Sequence, residues 1–226
     1  LACALALGLG GLAALGSRWS PLALALLPPA LAAAWVAMVL LMIRHQLSPR
    51  GGGWEQRIHA AVLARLPLAP GSQASLLDIG CGDASLLVAL LGRWPGLTAT
   101  GVDLWGSNWR YSQASCEQRT SSRGLNARFR RMNAGSLEFS DDSFDSVVSV
   151  MCFHEVRSDP GAAVPGPLAA LIEGLRVLRP GGAFVLIDRF GSKRDYGDAA
   201  RLHAILDSVA DWRREPLVAT LKAPWP

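Results

Sequence analysis

The sequence predicts an α/β fold with a doubly wound, mostly parallel sheet, preceded by an all-α hairpin of two apolar helices. Two observations predict this fold. Residues 76–87 read as a buried strand, a Gly-x-Gly turn and an amphipathic helix, and strand and helix patterns then alternate to about Asp188. Before them lie two long uncharged segments with the composition of membrane helices. We therefore divide the chain into a transmembrane hairpin at 1–45, a linker at 46–53 and an α/β domain at 54–226.

Composition narrows the classes of function. With 226 residues, the chain has room for one α/β domain and a small appendage. Its 22 basic and 18 acidic residues give a net charge of +4, an excess too mild to indicate nucleic-acid binding. Cys3, Cys81, Cys116 and Cys152 form no C-x-x-C pair, so we expect neither a metal site nor a disulfide framework.

The apolar front consists of residues 1–16 and 22–43, two uncharged runs joined by the turn-like string SRWSP. As a helix, the second run is about 33 Å long at about 1.5 Å per residue, which is enough to cross roughly 30 Å of hydrocarbon. Pro28 and Pro29 lie inside it and predict a kink, which membrane helices tolerate. The alternatives are a secretory signal, a buried soluble helix and a re-entrant hairpin. A membrane hairpin is favoured because there are two apolar runs and neither is amphipathic.

Basic residues predict the orientation of the chain. Arg44, His45 and Arg50 follow the second run, whereas Arg18 alone lies between the two runs. The positive-inside rule then puts the C-terminal domain in the cytoplasm, at the inner face of the cell membrane. The lipid bilayer is thus the expected partner of residues 1–43.

The string DIGCGD at 78–83 follows an apolar strand and opens a helix, with Asp83 as the expected cap. Gly80 and Gly82 allow positive φ and let a ligand approach the backbone. A dinucleotide-binding fold would carry a third glycine at the position of Ser85, and no Gly-Lys-Ser/Thr follows as in a P-loop. The string instead resembles the first motif of the class I S-adenosylmethionine-dependent methyltransferases.

That resemblance implies a Rossmann-like methyltransferase sheet with S-adenosylmethionine as the cofactor. In the family, the strand acid interacts with the methionine end of the donor, often through water, and the glycine turn gives its backbone to the same ligand. The residues that this motif assigns to the donor are Asp78, Ile79, Gly80, Cys81 and Gly82.

A second acid ends the next apolar strand, TATGVD at 98–103. Asp103 lies 25 residues after Asp78, at the distance expected in a βαβ unit. In methyltransferases of this fold that acid accepts both ribose hydroxyls, which suits a carboxylate with two oxygens. A helix cap at the strand end is the alternative. Leu104 follows directly and is assigned to the donor site with it.

Later segments extend the resemblance in the order of the family. The strand predicted at 127–134 ends in Asn133-Ala134, where the family commonly has Asp-Ala. There the side chain faces the adenine amino group, and the next backbone N–H faces a ring nitrogen. FSDDSFDSVVSV at 139–150 resembles the family's F-x-D-x-S-F-D-x-V-x-S, and RVLRPGG resembles R-V-L-K-P-G-G. Ser149 is assigned to the donor site from that segment. The other predicted elements are helices at 54–66, 108–119, 169–179 and 202–212 and a strand at 183–188.

Catalytic candidates come from the string MCFHEVRSD after the fourth strand, which lies beside the methyl group in this fold. His154 and Glu155 are the candidate general bases if the acceptor must lose a proton, and a structural role for His154 is the alternative. Trp105, Trp109 and Tyr111 either line an apolar substrate pocket or pack against the sheet. A basic cluster, either a solvated face or a contact for anionic lipid, comprises Arg119, Arg123, Arg128, Arg130 and Arg131.

Together these patterns predict a membrane-anchored enzyme that transfers a methyl group from S-adenosylmethionine to an unidentified acceptor, with a membrane-bound acceptor favoured. The alternatives are a non-catalytic S-adenosylmethionine-binding protein and a nicotinamide-dependent oxidoreductase, against which Ser85 argues. We expect no nucleic-acid partner, and the oligomeric state is left open.

Overall fold

The computed structural model of the chain describes residues 21–48, 50–107, 110–158, 161, 163–190, 193–196 and 200. The chain forms two compact units, Leu1–Arg57 with Lys222–Pro226 and Ile58–Leu221. The first apolar run at 1–16 and the helix predicted at 202–212 lie outside the described residues. The second helix of the hairpin therefore stays a prediction, as does the end of the domain.

Among its described residues the first unit contains one long apolar helix, α1 (Pro21–Leu47), which confirms that the run at 22–43 is helical. The helix continues through Pro28 and Pro29. By length and composition its segment Leu27–Gln46 qualifies as a candidate membrane span, with 20 residues, a mean hydropathy of 1.8 and 0% of the window buried.

The turn after α1 is folded back on the helix rather than extended. The N–H of Gly52 donates to the carbonyl of His45 at 3.1 Å. A Cβ on Gly51 would overlap the same carbonyl oxygen, so glycine permits this close return. The next helix, α2, covers Trp54–Leu63. The helix α1 thus runs two residues past the predicted boundary at 45, and six residues, 48–53, separate it from α2.

The second unit is built on one five-stranded sheet in the order β3-β2-β1-β4-β5, with every pairing parallel. Its strands are β1 (Ser75–Ile79), β2 (Thr98–Asp103), β3 (Ala127–Arg131), β4 (Phe144–Val150) and β5 (Leu178–Ile187). Its helices are α3 (Ser85–Arg93), α4 (Gln113–Ser121), α5 (Gly166–Val177) and α6 (Lys193–Tyr196), with a 3-10 turn at Phe153–Glu155. The predicted parallel α/β sheet is confirmed.

Alternate residues of the strands pack into two hydrophobic clusters, one on each face of the sheet. In β1, Leu76 packs in the cluster that contains Leu87 of α3, whereas Leu77 and Ile79 pack in the cluster that contains Leu171 of α5. Successive side chains of a strand point to opposite faces, so an unbroken apolar strand is covered on both sides. This confirms the doubly wound arrangement.

The carboxyl edge of the sheet is where a ligand is expected. The strand order reverses beside β1, with β2 on one side and β4 on the other, and open α/β sheets bind ligands at such a point. Of the four non-glycine residues with positive φ in the described part of the chain, three lie in the loops at this edge. They are Ala84 (65°), Trp105 (43°) and Met151 (53°). Backbone strain of this kind collects at functional sites.

Local chemistry moves several element ends from their predicted positions. The helix α4 begins at Gln113 rather than at 108 because Ser112 and Ser115 form a capping box. The strand β5 begins at Leu178, because the Pro-Gly-Gly string stays within the strand as an irregularity in the pairing between Leu178 and Ala183. Two elements end earlier than predicted, α2 at Leu63 and β3 at Arg131.

Candidate active site

The loop between β1 and α3 is fixed by three other segments. Gly80 and Gly82 have φ values of 75° and 56°, which confirms the predicted left-handed turn. A Cβ on Gly80 would overlap the side chain of Cys152, so the chain itself requires glycine there. The carbonyl of Gly82 accepts from Trp105 Nε1 at 2.9 Å and from Cys116 Sγ at 3.1 Å. The turn is therefore preorganised for a ligand.

Two side chains of this loop stabilise the loop itself. Cys81 is buried, and a hydrogen bond with Cys116, followed by burial, raises the pKa of its thiol. The carboxylate of Asp83 accepts the N–H of Ser85 at 3.0 Å, but the helix N-cap is Ala84, whose side chain offers no cap. Asp83 as N-cap is therefore wrong by one residue, although its carboxylate still satisfies an N–H of the first turn.

Asp103, at the end of β2, joins two loops of the site. One of its oxygens accepts the N–H of Gly82 at 2.9 Å, and the other accepts the N–H of Trp105 at 2.8 Å. Each carboxylate oxygen has a second lone pair, so the group can still accept from a ligand. The alternative of a helix cap does not describe these contacts, because neither donor lies in a helix.

Asp78 is the unusual group of the site. It lies in the middle strand and is 1% exposed, and its Oδ2 has no hydrogen-bond partner among the described residues. Burial, and then the negative charge of Asp103, raise its pKa from 3.8 to about 8. A buried polar atom without a partner costs stability and is kept where a function requires it. A cationic group of a ligand would satisfy this carboxyl.

The remaining predicted donor residues are spread along the same edge. Oδ1 of Asn133 accepts the N–H of Gly135 at 3.0 Å, a local turn that follows the end of β3. The side chain of Ala134 is buried, whereas Leu104 is 51% exposed. Ser149 is fully buried and its hydroxyl donates to the carbonyl of Ile79 at 2.7 Å. The Ser149 hydroxyl therefore connects β4 to β1.

The two candidate bases sit in different surroundings. Nδ1 of His154 lies 2.5 Å from Oδ1 of Asp188, whose side chain is 0% exposed. Nε2 of His154 lies 3.8 Å from Oε1 of Glu155, whose side chain is half exposed. Sequence reasoning missed Asp188. The available signal was its position directly after an apolar strand, comparable to that of Asp103 at the end of β2.

The aromatic and basic residues named from the sequence lie in different surroundings. Trp105 packs against the core and Tyr111 lies 3.7 Å from where a Cβ on Gly82 would be, so both border the glycine turn. Trp109 lies outside the described residues. Two arginines of the basic cluster are paired, Arg119 with Asp83 at 3.0 Å and Arg130 with Glu138 at 2.9 Å. Within the described ranges, no group of three or more His, Cys, Asp or Glu side chains could hold a metal ion.

This fold and site define a Rossmann-like domain with a ligand crevice at the switch point of its sheet. Residues 77–186 match the family model described as a methyltransferase domain. They belong to the class I S-adenosylmethionine-dependent methyltransferases, as the string at 78–83 predicts, and the cofactor of that family is S-adenosylmethionine.

Two curated relatives in sequence support the same assignment. An uncharacterized methyltransferase of Synechocystis sp. is 31% identical over 137 residues, which are 60% of this chain and 56% of the relative. A malonyl-[acyl-carrier protein] O-methyltransferase of Paenibacillus sp. is 31% identical over 138 residues, 58% of this chain and 46% of the relative. The solved YcgJ protein of Bacillus subtilis is 25% identical with a TM-score of 0.46, covering 59% of this chain and 50% of that one. The chain spans about half the length of these curated relatives.

Proposed function

We propose that this chain transfers a methyl group from S-adenosylmethionine to an acceptor held at the membrane, with α1 as its anchor. The observation that supports the donor site is Asp78, a buried carboxyl with one oxygen that has no hydrogen-bond partner among the described residues. It lies two residues before Gly80, where the glycine turn begins. S-adenosylmethionine carries an ammonium and a sulfonium. Its methionine end offers the cation that this carboxyl lacks.

The other proposed donor contacts use acceptors at the ends of β2 and β3. The Asp103 oxygens keep lone pairs for the ribose hydroxyls beside the two backbone N–H groups that they already accept. The Asn133 amide oxygen accepts one N–H and keeps a lone pair for the adenine amino group, with the N–H of Ala134 directed to the ring. Leu104 contributes as the residue that follows Asp103. Ser149 supports the site by joining β4 to the Ile79 carbonyl.

Binding and alignment are the main tasks of these residues. When bound, S-adenosylmethionine supplies a methyl group that its sulfonium has already activated. Most of the acceleration then comes from holding the acceptor in line with that group and from excluding water. The fold does not name the acceptor, which has to come from the surroundings of the site.

Calorimetric titration of the full chain in detergent micelles tests the donor site. We expect S-adenosylmethionine to bind and NAD to give no heat of binding, because the third glycine of a dinucleotide turn is replaced by Ser85. Binding of NAD without binding of S-adenosylmethionine would show that the chain is an oxidoreductase-type domain instead.

The anchor proposal is supported by α1 and by the short connection after it. The candidate span ends at Gln46 and α2 starts at Trp54. Arg44 and His45 lie in the last turn of α1, at the end of the span, and Arg50 follows it, which favours a cytoplasmic location for the domain. A short connection keeps the domain near the bilayer surface, where a membrane-bound acceptor is concentrated.

A version of the chain that starts at Ser48 tests the anchor. We expect it to be soluble and to bind S-adenosylmethionine with the affinity of the full chain, because the proposed donor residues follow residue 76. The full chain should sediment with membranes. If the shortened version also sediments with membranes, or if the full chain stays in the soluble fraction, α1 is not the anchor.

Transfer from methyl-labelled S-adenosylmethionine into a membrane extract tests catalysis. We expect the label to enter the lipid-soluble or membrane-protein fraction, and more slowly when the chain starts at Ser48. If the full chain and the version that starts at Ser48 methylate soluble metabolites at equal rates, the anchor does not contribute to the choice of substrate. Tight donor binding without any labelled product would make the chain a non-catalytic binding protein.

A further inference from the structure

We propose that Asp188 is a positioning residue that holds His154 as a general base, and that the acceptor therefore reacts through a hydroxyl group. The role of His154 as a base depends on the proposed methyl transfer, whereas the contact between His154 and Asp188 is observed in the structure. His154 is a candidate from the sequence, but no sequence pattern links it to Asp188.

The sheet brings these two residues together. The strands β4 and β5 are neighbours in register, with Val150 opposite Ile187. The N–H of Met151 extends this pairing by donating to the carbonyl of Ile187 at 2.7 Å. The residues that follow both strands must therefore emerge side by side at the carboxyl edge. His154 follows in the 3-10 turn after β4, and Asp188 is the first residue after β5.

Asp188 is held more firmly than a surface carboxylate. Its side chain is 0% exposed, and its Oδ1 lies 2.5 Å from Nδ1 of His154. Its Oδ2 accepts the backbone N–H of His154 at 3.1 Å, and Oδ1 also accepts the N–H of Arg189 at 2.7 Å. The carboxylate thus contacts both the ring and the backbone of His154. This double contact fixes the orientation of the imidazole.

The contact also determines which ring nitrogen can take a proton. A carboxylate only accepts hydrogen bonds, so Nδ1 must carry the ring proton and Nε2 keeps its lone pair. Oε1 of Glu155 is 3.8 Å from Nε2, which is too long for a hydrogen bond. Glu155 is half exposed while the His154 side chain is 11% exposed. Nε2 of His154 is therefore the better placed base, and Glu155 adds a nearby negative charge.

The charges around the pair favour an imidazolium after proton transfer. The titratable groups that face it are Glu155, Cys152, Tyr196, Arg189 and Asp195. The cation of Arg189 is paired with Asp195 at 2.7 Å, and it also interacts with Asp188 and Glu155. Burial, and then the charge of Asp188, raise the pKa of Tyr196, so it stays neutral. Asp188 and Glu155 are the carboxylates beside the ring, at 2.5 Å from Nδ1 and 3.8 Å from Nε2.

A hydroxyl acceptor is the chemistry that requires such a base. In the proposed step the acceptor oxygen forms its bond to the methyl carbon, and the carbon–sulfur bond breaks with its electron pair left on sulfur. The hydroxyl proton passes to Nε2 of His154, and Asp188 stabilises the resulting imidazolium. A tertiary amine has no proton to lose, so its methylation would not need the pair.

Nitrogen NMR of the histidine-labelled full chain in detergent micelles tests the pair without an acceptor. We expect the His154 signals, assigned by their loss in His154→Gln, to show a protonated Nδ1 and an unprotonated Nε2 at pH 8. In Asp188→Asn the ring should change tautomer, because the group that accepts from Nδ1 is no longer a carboxylate. Calorimetry with S-adenosylmethionine checks that each variant is folded. Glu155→Gln is the matched control, and its His154 tautomer should be unchanged.

The same variants are compared on two probes that share an alkyl chain, 4-nonylphenol and 4-nonyl-N,N-dimethylaniline. We expect His154→Gln and Asp188→Asn to slow labelling of the phenol by about 100-fold or more, and to leave the tertiary amine nearly unaffected. Equal losses on both probes, or an Nε2-protonated His154 in the unaltered chain, would overturn the proposal. Failure of the unaltered chain to bind S-adenosylmethionine would instead refute the proposed function, so the two failures are distinguishable.

Discussion

Replacing Asp78 with asparagine should change how the stability of the donor-free chain depends on pH. The pKa of the buried carboxyl is raised from 3.8 to about 8, first by burial and then by Asp103. The folded state therefore keeps a proton that the unfolded chain releases above about pH 4. The free energy of unfolding must fall as the pH rises from about 4 to about 8, because the unfolded state binds fewer protons there.

The size of the effect follows from the same shift. One proton of difference costs about 1.4 kcal/mol of stability per pH unit, so the contribution of Asp78 falls by about 3 kcal/mol between pH 5 and pH 7. Asparagine is neutral at every pH and lacks this dependence. The stability of the Asp78→Asn variant relative to the unaltered chain should therefore rise by about 3 kcal/mol over that range, and level off above about pH 8.

Urea unfolding of both proteins in the same detergent at pH 5, 7 and 9, without donor, measures this difference. Other titrating groups act on both proteins alike, so they cancel in the comparison. Two parallel curves of stability against pH would mean that Asp78 is ionised in the folded chain and that the reasoning from its burial is wrong.

The remaining predictions use the same full chain. Gly80→Ala should destabilise the domain by about 1–3 kcal/mol in urea unfolding, because the new Cβ overlaps Cys152 in a left-handed turn; an unchanged midpoint would mean that the loop differs in solution. Asp103→Ala should weaken S-adenosylmethionine binding by tenfold or more, at about 1.5–3 kcal/mol per bond to a charged group, and Asp103→Asn should lose less. An unchanged dissociation constant would remove Asp103 from the site. Arg176→Leu should cost about 2 kcal/mol of stability, because its guanidinium bonds Glu173 at 2.7 Å and a carbonyl of the β3–β4 connection. The dissociation constant of S-adenosylmethionine, measured on the folded variant, should not change. Weaker binding would indicate that the β3–β4 connection contributes to the donor site.

The parts of the fold that the sequence predicts best are those where local pattern and tertiary structure agree. The strand predicted at 98–103 is found with those bounds, because the string is apolar and ends in an acid at the sheet edge. The turn at Gly80 and Gly82 is also found, since few residues other than glycine accept positive φ. The helix of the run at 22–43 follows from composition and length alone.

The predictions that failed have a common cause, which is that the tertiary structure overrides a local sequence signal. Pro180 and the glycines after it indicate a helix stop and a loop, yet pairing with β4 keeps them in the strand. Asp83 is a good cap residue, but the turn places Ala84 at the cap instead. Asp188 could not be linked to His154, because their contact depends on the register of β4 and β5 and not on spacing in the chain.

The distribution of charge in the site gives a physical reason for keeping a buried acid that lowers the stability of the free protein. The chain as a whole has a net charge of +4, yet Asp78, Asp103, Glu155 and Asp188 all lie at or beside the carboxyl ends of the strands. Such a crevice attracts a cationic ligand, and its low dielectric strengthens the attraction. Methyl transfer removes the positive charge from the sulfonium, so the electrostatic attraction of this crevice is weaker for the product than for the donor. The buried carboxyl of Asp78, which reduces the stability of the free protein as the pH rises above about 4, is thus a group that a bound cation would stabilise, as expected where function is kept at a cost in stability.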